Sequence, residues 1–160
     1  MAVSRSQSRL MLAASVFAVV VVGIVVAVGV IPEVLASSAP GIDPEDAVPA
    51  FRIAVVLHLL VAVVLAFNAM WSSGRGRTST WALVVTGVVV LLFGFTLADA
   101  ALAFLEAGSS VRTVTALLFS CVAADILAGA LAISAAFLRP KRTEEDLTSA
   151  SSGTGRGRLT

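Results

Sequence analysis

The sequence contains few of the residues on which soluble enzymes and redox proteins depend. Only 13% of its 160 residues are charged, and it has no tyrosine, one lysine, one histidine and one cysteine, Cys121. A single cysteine cannot form an intrachain disulfide or a Cys-x-x-Cys redox or zinc motif, so we expect Cys121 to be a small core residue. The formal net charge of +1 provides no overall positive field, so nucleic acid is not an expected partner.

Motifs of common enzyme classes are also missing from the sequence. It has no glycine-rich phosphate loop, no His-Glu-x-x-His metal motif and no Gly-x-Ser-x-Gly nucleophile elbow. We therefore expect no enzyme activity, no catalytic residue and no metal site.

Apolar residues make up 58% of the chain, and they lie in four long runs. A helix needs about 20 apolar residues to cross the hydrocarbon core of a bilayer. The runs predict an all-α, integral membrane four-helix bundle with up-down-up-down topology, because the last two connectors are short enough to make their flanking helices antiparallel neighbours. The predicted spans are residues 10–31, 51–71, 81–105 and 111–138.

Arginine and lysine lie mainly on one side of these four spans, and this asymmetry predicts the orientation. Residues 1–9, the second connector and residues 139–160 carry most of the basic side chains, whereas the opposite side is rich in Asp and Glu. We therefore predict a multi-pass protein of the cell membrane with both termini in the cytoplasm. The tail, residues 139–160, ends in a run rich in serine, threonine and glycine that is expected to be disordered.

The first span has a competing interpretation as a cleaved secretory signal. Basic residues, an apolar run and the sequence Val-Leu-Ala before Ser37 resemble a signal with cleavage after Ala36. The apolar run is longer than the usual 7–15 residues of a signal, which favours a membrane span.

Polar residues inside the spans are the candidate functional residues. Counted from the predicted outer ends of their helices, His58 and Asp99 lie at similar depths, so we predict that they face each other inside the bundle. Arg52 and Arg112 are expected to pair with Glu33 and Glu106 near the outer boundary. The first helix carries Ser15 as its one polar side chain between residues 10 and 31, so it is expected to face lipid more fully. The predicted buried polar cluster consists of His58, Asp99, Glu106, Arg52, Arg112 and Glu33.

The fourth span contains a mid-membrane carboxyl and a face of small residues. Asp125 lies about 20 Å below Val111 at 1.5 Å per residue, so it is expected to hydrogen-bond across helices or to a second copy of the chain. Small residues spaced by four allow two helix backbones to approach closely, either within the bundle or in a dimer. This packing face consists of Ala124, Ala128, Ala132 and Ala136, and Gly87 and Gly94 of the third span are candidates to face it.

These features leave three functions open. The first is an accessory or assembly subunit of a membrane complex, with other membrane proteins or a second copy as partners. The second is an oligomeric protein that conducts ions or protons, or transports a solute, through intramembrane Asp and His side chains. The third is a haem protein with His58 as an axial ligand, although one histidine cannot supply both axial positions within one subunit. The first requires no cofactor, and the lipid bilayer is a partner in all three.

Overall fold

The computed structural model describes residues 2–37, 43–71, 78–108 and 111–138, and within these ranges it is helical without any strand. This confirms the predicted all-α four-helix bundle. The helices are α1 (Ala2–Val25), a π-helical segment (Val26–Val30), α2 (Ile31–Ala36), α3 (Pro44–Trp71), α4 (Thr78–Glu106) and α5 (Arg112–Phe137). The predicted disordered tail lies outside the described residues.

Four segments of the described chain are long and apolar enough to cross a membrane. They are Gln7–Ala36, which combines α1, the π-helical segment and α2, and then Pro44–Met70, Thr80–Glu106 and Arg112–Phe137. The chain is therefore a small multi-pass membrane protein. We call the end where α2 ends and α3 begins the outer end, after the predicted orientation.

The four spans form a ring in chain order. Each span packs against the next, and the fourth packs against the first, so that α3 and α5 lie on opposite sides of the core. The contact between α4 and α5 is the most extensive of these, and that between α3 and α4 is the least extensive. Helix α4 therefore packs tightly against α5 on one side and more loosely against α3 on the other, where the cleft described below lies.

Helix α3 begins seven residues earlier than the predicted start at Phe51. Pro44 occupies the first helical position, where its missing N–H costs nothing. The Oδ1 atom of Asp43 accepts a hydrogen bond from the backbone N–H of Glu45 at 2.8 Å, which caps the helix. Because of this early start, residues of α3 lie about 10 Å further from the outer end than the sequence suggested.

The first span is more deeply packed than predicted. Its four valines spaced by four residues, Val22, Val26, Val30 and Val34, are all buried in the core. In a straight α-helix this spacing drifts around the surface, because four residues exceed one turn of 3.6. The π-helical segment Val26–Val30 takes up the drift, since its wider turns hold the valines on one face. The expectation that this helix faces lipid more fully is wrong.

Two glycines set the close approach of α4 and α5. A Cβ atom added at Gly129 would lie 2.8 Å from the backbone oxygen of Gly87, and one added at Gly87 would lie 3.0 Å from the backbone oxygen of Gly129. Side chains at either position would therefore force the two backbones apart. This is the small-residue packing expected between helices in a membrane.

Hydroxyl groups of the first span bind backbone oxygens of α5. The Oγ atom of Ser15 donates to the carbonyl of Ala128 at 2.8 Å, and that of Ser8 donates to the carbonyl of Ala135 at 3.1 Å. Both serines are buried, so each hydroxyl is satisfied without water. These two bonds connect the first and last spans.

Replacing Ser15 with alanine should reduce the free energy of unfolding by about 0.5–1.5 kcal/mol, the usual net value of one buried hydrogen bond. The measurement is equilibrium unfolding in mixed micelles. The control is Ser120→Ala, because the Ser120 hydroxyl is exposed and donates within its own helix to Ala116. Equal losses in the two variants would contradict a specific role for the bond between Ser15 and Ala128.

Candidate functional site

The centre of the bundle contains one buried pair of ionisable side chains. The Nε2 atom of His58 lies 3.0 Å from the Oδ2 atom of Asp125, and the two side chains are 2% and 0% exposed. Within the described residues this is the one ion pair at 4.0 Å or less. The contact joins α3 to α5 across the core, so two spans that are not neighbours in the ring are linked directly.

The depths of the two residues explain why they meet. His58 is fourteen residues after Pro44 and Asp125 is thirteen residues after Arg112, or about 21 and 20 Å from the outer ends of their helices at 1.5 Å per residue. The pairing with Asp99 was predicted because α3 was expected to begin at Phe51. With the observed start, the depth of His58 matches that of Asp125.

The hydrogen bonds of His58 fix the number of protons in the pair. Its Nδ1 atom lies 2.7 Å from the backbone oxygen of Ala54, which can only accept, so Nδ1 carries a hydrogen. Nε2 then either donates to an ionised Asp125 or accepts from a protonated one. Both arrangements place two protons on the pair and leave it with no net charge. A neutral pair with its hydrogen bonds made is the form that a low-dielectric core tolerates.

Small and aromatic residues of the neighbouring helices surround the pair. A Cβ atom added at Gly23 of α1 would lie 3.6 Å from Cβ of His58, and one added at Gly94 of α4 would lie 3.3 Å from Cβ of Asp125. Each member of the pair thus packs against a glycine on an adjacent helix. The ring of Phe93 lies 5.2 Å from the imidazole, centroid to centroid, at a tilt of 39°.

One atom of the pair has no partner among the described residues. The Oδ1 atom of Asp125 is buried and accepts no hydrogen bond from them. Cys121, one turn earlier on α5, is also buried, as expected for a small core residue. A carboxyl oxygen in this position requires a donor, because leaving it unpaired costs about 1–3 kcal/mol.

The prediction that His58 and Asp99 face each other is wrong. Asp99 lies on the outside of α4, exposed, while His58 contacts Asp125. Thr96, Ala103 and Glu106 share one face of α4 with Asp99, at spacings of three or four residues, and that face is exposed. It points away from the core rather than into it.

The rest of the predicted buried polar cluster is likewise not buried. The side chains concerned are exposed, and the described residues make no ion pair among them. Three of them lie at or near the outer ends of their helices, where water can solvate them. Arg52 is eight residues, about 12 Å, into α3, but its long side chain can extend its charged end toward that level. The residues are Arg52, Arg112, Glu33 and Glu106.

The alanine face of α5 packs inside the bundle. Ala128, Ala132 and Ala136 are buried and Ala124 is half-buried. Of the two arrangements left open by the sequence, the structure has the intramolecular one. Gly87 and Gly94 both face α5, as the sequence suggested, and Gly87 lies against Ala132.

A cleft between α3 and α4 reaches His58, one member of the pair, from the outer half of the bundle. It encloses about 230 Å³, and its α3 side consists of Ala50, Ile53, Ala54, Leu57 and His58. Its α4 side consists of Phe93, Thr96 and Leu97. The α3 residues follow the spacing of one helix face, so the cleft runs along about two helical turns and ends at the imidazole.

No family model, curated protein or solved structure matches this chain.

Proposed function

We propose that this membrane protein is an accessory or assembly subunit of a larger complex in the cell membrane, and that it binds a partner protein through the outer face of α4. The observation that carries the proposal is the position of Asp99. Its carboxyl lies inside the candidate span Thr80–Glu106, on the outside of the bundle, and makes no hydrogen bond or ion pair with the described residues. The proposed role requires no catalysis, metal or cofactor.

The energetic cost of this carboxyl supports a partner. A charged side chain at the centre of a bilayer costs about 2.5–3.5 kcal/mol on the insertion scale, and less toward the interface. Asp99 is seven residues before Glu106, about 10 Å along the helix. Large apolar side chains, Phe95 and Leu102, are exposed within one turn on either side of it. A partner helix with arginine or lysine at this depth would remove the cost and bury the apolar neighbours.

The packing inside the bundle supports the same surface. The small-residue face of α5 is already occupied by α4 and the first span, so it is not free to bind a second copy. The buried pair is likewise closed within one chain. Among the described residues, Asp99 is then a short ionisable side chain that lies about 10 Å inside its span and makes no ion pair or hydrogen bond.

The test is recovery of a partner after mild detergent extraction from the native membrane. Asp99→Leu should lose the partner, Asp99→Glu should keep it, and the free energy of unfolding of the bundle should be unchanged. Ser120→Ala, an exposed polar group satisfied within its own helix, serves as the matched control. The mass of the recovered complex distinguishes a different protein from a second copy.

Two results would contradict the proposal. The first is recovery of the wild-type protein as a lone monomer. The second is recovery of the same partner with Asp99→Leu in unchanged amount.

Conduction of protons or ions is the second candidate, and the His58–Asp125 pair is the observation that favours it. The inner half of the core argues against a continuous path. It consists of aliphatic side chains such as Leu65, Leu83 and Val90, and its buried hydroxyls, including Ser15, donate to backbone oxygens. Within the described residues these hydroxyls are bonded to backbone oxygens rather than to one another, so they do not form a chain from the pair toward the inner end.

A haem-binding role requires a different state of His58. An axial ligand needs a nitrogen with a free lone pair, but Nε2 contacts Asp125 and Nδ1 donates to Ala54. The bond to Asp125 would have to break before iron could bind. Nothing in the described arrangement favours that exchange.

A further inference from the structure

We propose that the His58–Asp125 pair is a proton-exchange site open to the outer end of the bundle alone, with water as its ligand and the α3–α4 cleft as its route. This site goes beyond the assembly role and does not depend on it. The proposal rests on the unpaired carboxyl oxygen, the shared proton and the cleft that ends at the imidazole.

The unpaired oxygen indicates what binds. Asp125 Oδ1 is buried beside a hydrogen-bonded pair and needs a donor that the described residues do not provide. Water is the smallest molecule that can donate to it, which suits a site packed closely against Gly23 and Gly94. Buried waters in proteins typically satisfy polar groups of this kind.

The shared proton indicates what the site does. One proton lies between Nε2 of His58 and Oδ2 of Asp125 whichever atom carries it, so it can pass between the two without a change in net charge. Exchange with water replaces this proton by another and leaves every other bond intact. The other titratable side chain close by is Cys121, on α5. The described residues of α1 and α4 that contact the pair include Gly23, Gly94 and Phe93, which carry no ionisable group.

The cleft indicates from which side water arrives. Its lining begins at Ala50, which is exposed in the second turn of α3, and ends eight residues later at His58, about 12 Å deeper. The hydroxyl of Thr96 lies along the way. Phe93 packs against the imidazole at the deep end, where it limits entry. Beyond the pair the described core consists of aliphatic side chains and of hydroxyls that donate to backbone oxygens, so it offers protons from the inner side no comparable cleft.

The single histidine of the chain makes the exchange directly observable. Protein labelled with ¹⁵N-histidine gives an imidazole signal from His58 alone. In lipid vesicles switched from H₂O to D₂O, the decay of the signal from the proton shared by His58 Nε2 and Asp125 Oδ2 measures exchange. Ala50→Phe fills the mouth of the cleft without touching the pair, and it should slow the decay about tenfold or more, an added barrier of about 1.4 kcal/mol. Ala123→Phe, exposed on α5 and outside the cleft, should leave the rate unchanged.

Two further measurements test the one-sided character of the site. Vesicles with a proton-sensitive dye inside should show no more proton flux with the protein than without it. Asp125→Asn should abolish the imidazole signal of the proton that His58 shares with Asp125, whereas Ala50→Phe should retain this signal. An unchanged exchange rate in Ala50→Phe would overturn the proposed route, and flux that Asp125→Asn removes would overturn the one-sided site in favour of conduction.

Discussion

Replacing His58 with leucine should lower the free energy of unfolding by about 3–5 kcal/mol, the cost of leaving one member of a buried ionic pair without its partner. Asp125 would then lie at the centre of the core with neither oxygen bonded by the described residues. Interhelical hydrogen bonds in membrane proteins average only about 0.6 kcal/mol when alternative partners exist. The larger value is expected because this core provides no alternative.

A double-mutant cycle separates the pair from its surroundings. His58→Leu combined with Asp125→Leu should cost clearly less than the sum of the two single changes, since the double variant leaves no unpaired group. Equilibrium unfolding in mixed micelles provides the four free energies. Asn68→Leu is the control on the same helix, because the half-buried Asn68 side chain donates to the backbone oxygen of Val64 in its own helix. Additive single effects would show that the two side chains do not stabilise each other.

Gly129→Ala should be the second most damaging change, at about 2 kcal/mol or more, because its new methyl group meets a backbone oxygen as well as a side chain. The added Cβ lies 2.8 Å from the backbone oxygen of Gly87 and 2.7 Å from Cγ of Leu91. Overpacking of a close-packed core typically costs about 1–3 kcal/mol, and here the two helices must separate along their main contact.

Gly23→Ala is the matched control for this change. It introduces the same methyl group into another span and gains the same helix propensity, but its nearest neighbour is Cβ of His58 at an ordinary 3.6 Å. The thermal midpoint of Gly129→Ala should therefore fall below that of Gly23→Ala. A Gly129→Ala protein as stable as Gly23→Ala would contradict the close contact between α4 and α5.

Much of the fold could be predicted from the sequence because lipid imposes simple requirements. Runs of about 20 apolar residues must be helices, since every backbone group in hydrocarbon needs an internal partner. The glycines of α4 that face α5 could be predicted for a related reason, because small residues mark where helices approach closely. These features depend on composition and spacing alone.

The partner of His58 could not be predicted in the same way. The choice between Asp99 and Asp125 depended on the first residue of α3, and the helix continues outward through residues that are only partly apolar to a cap at Asp43. An error of seven residues moves a side chain by about 10 Å, enough to exchange one carboxyl for the other. The rotation of α4 about its own axis also decides which carboxyl faces His58. The spacing of Asp99 and Thr96 places them on one face of the helix, but it does not indicate whether that face points into the core.

The π-helical turn in the first span determines where this chain can lose one residue without rotating its helix. Such a turn is an α-helix that has accommodated one extra residue, so deleting one residue between 26 and 30 restores regular α geometry with both flanks still facing the core. In the three other spans, α-helical throughout the described residues, the same deletion rotates everything beyond it by about 100°. Sequences descended from a common ancestor with this protein can therefore differ by one residue here and keep the same valines inside.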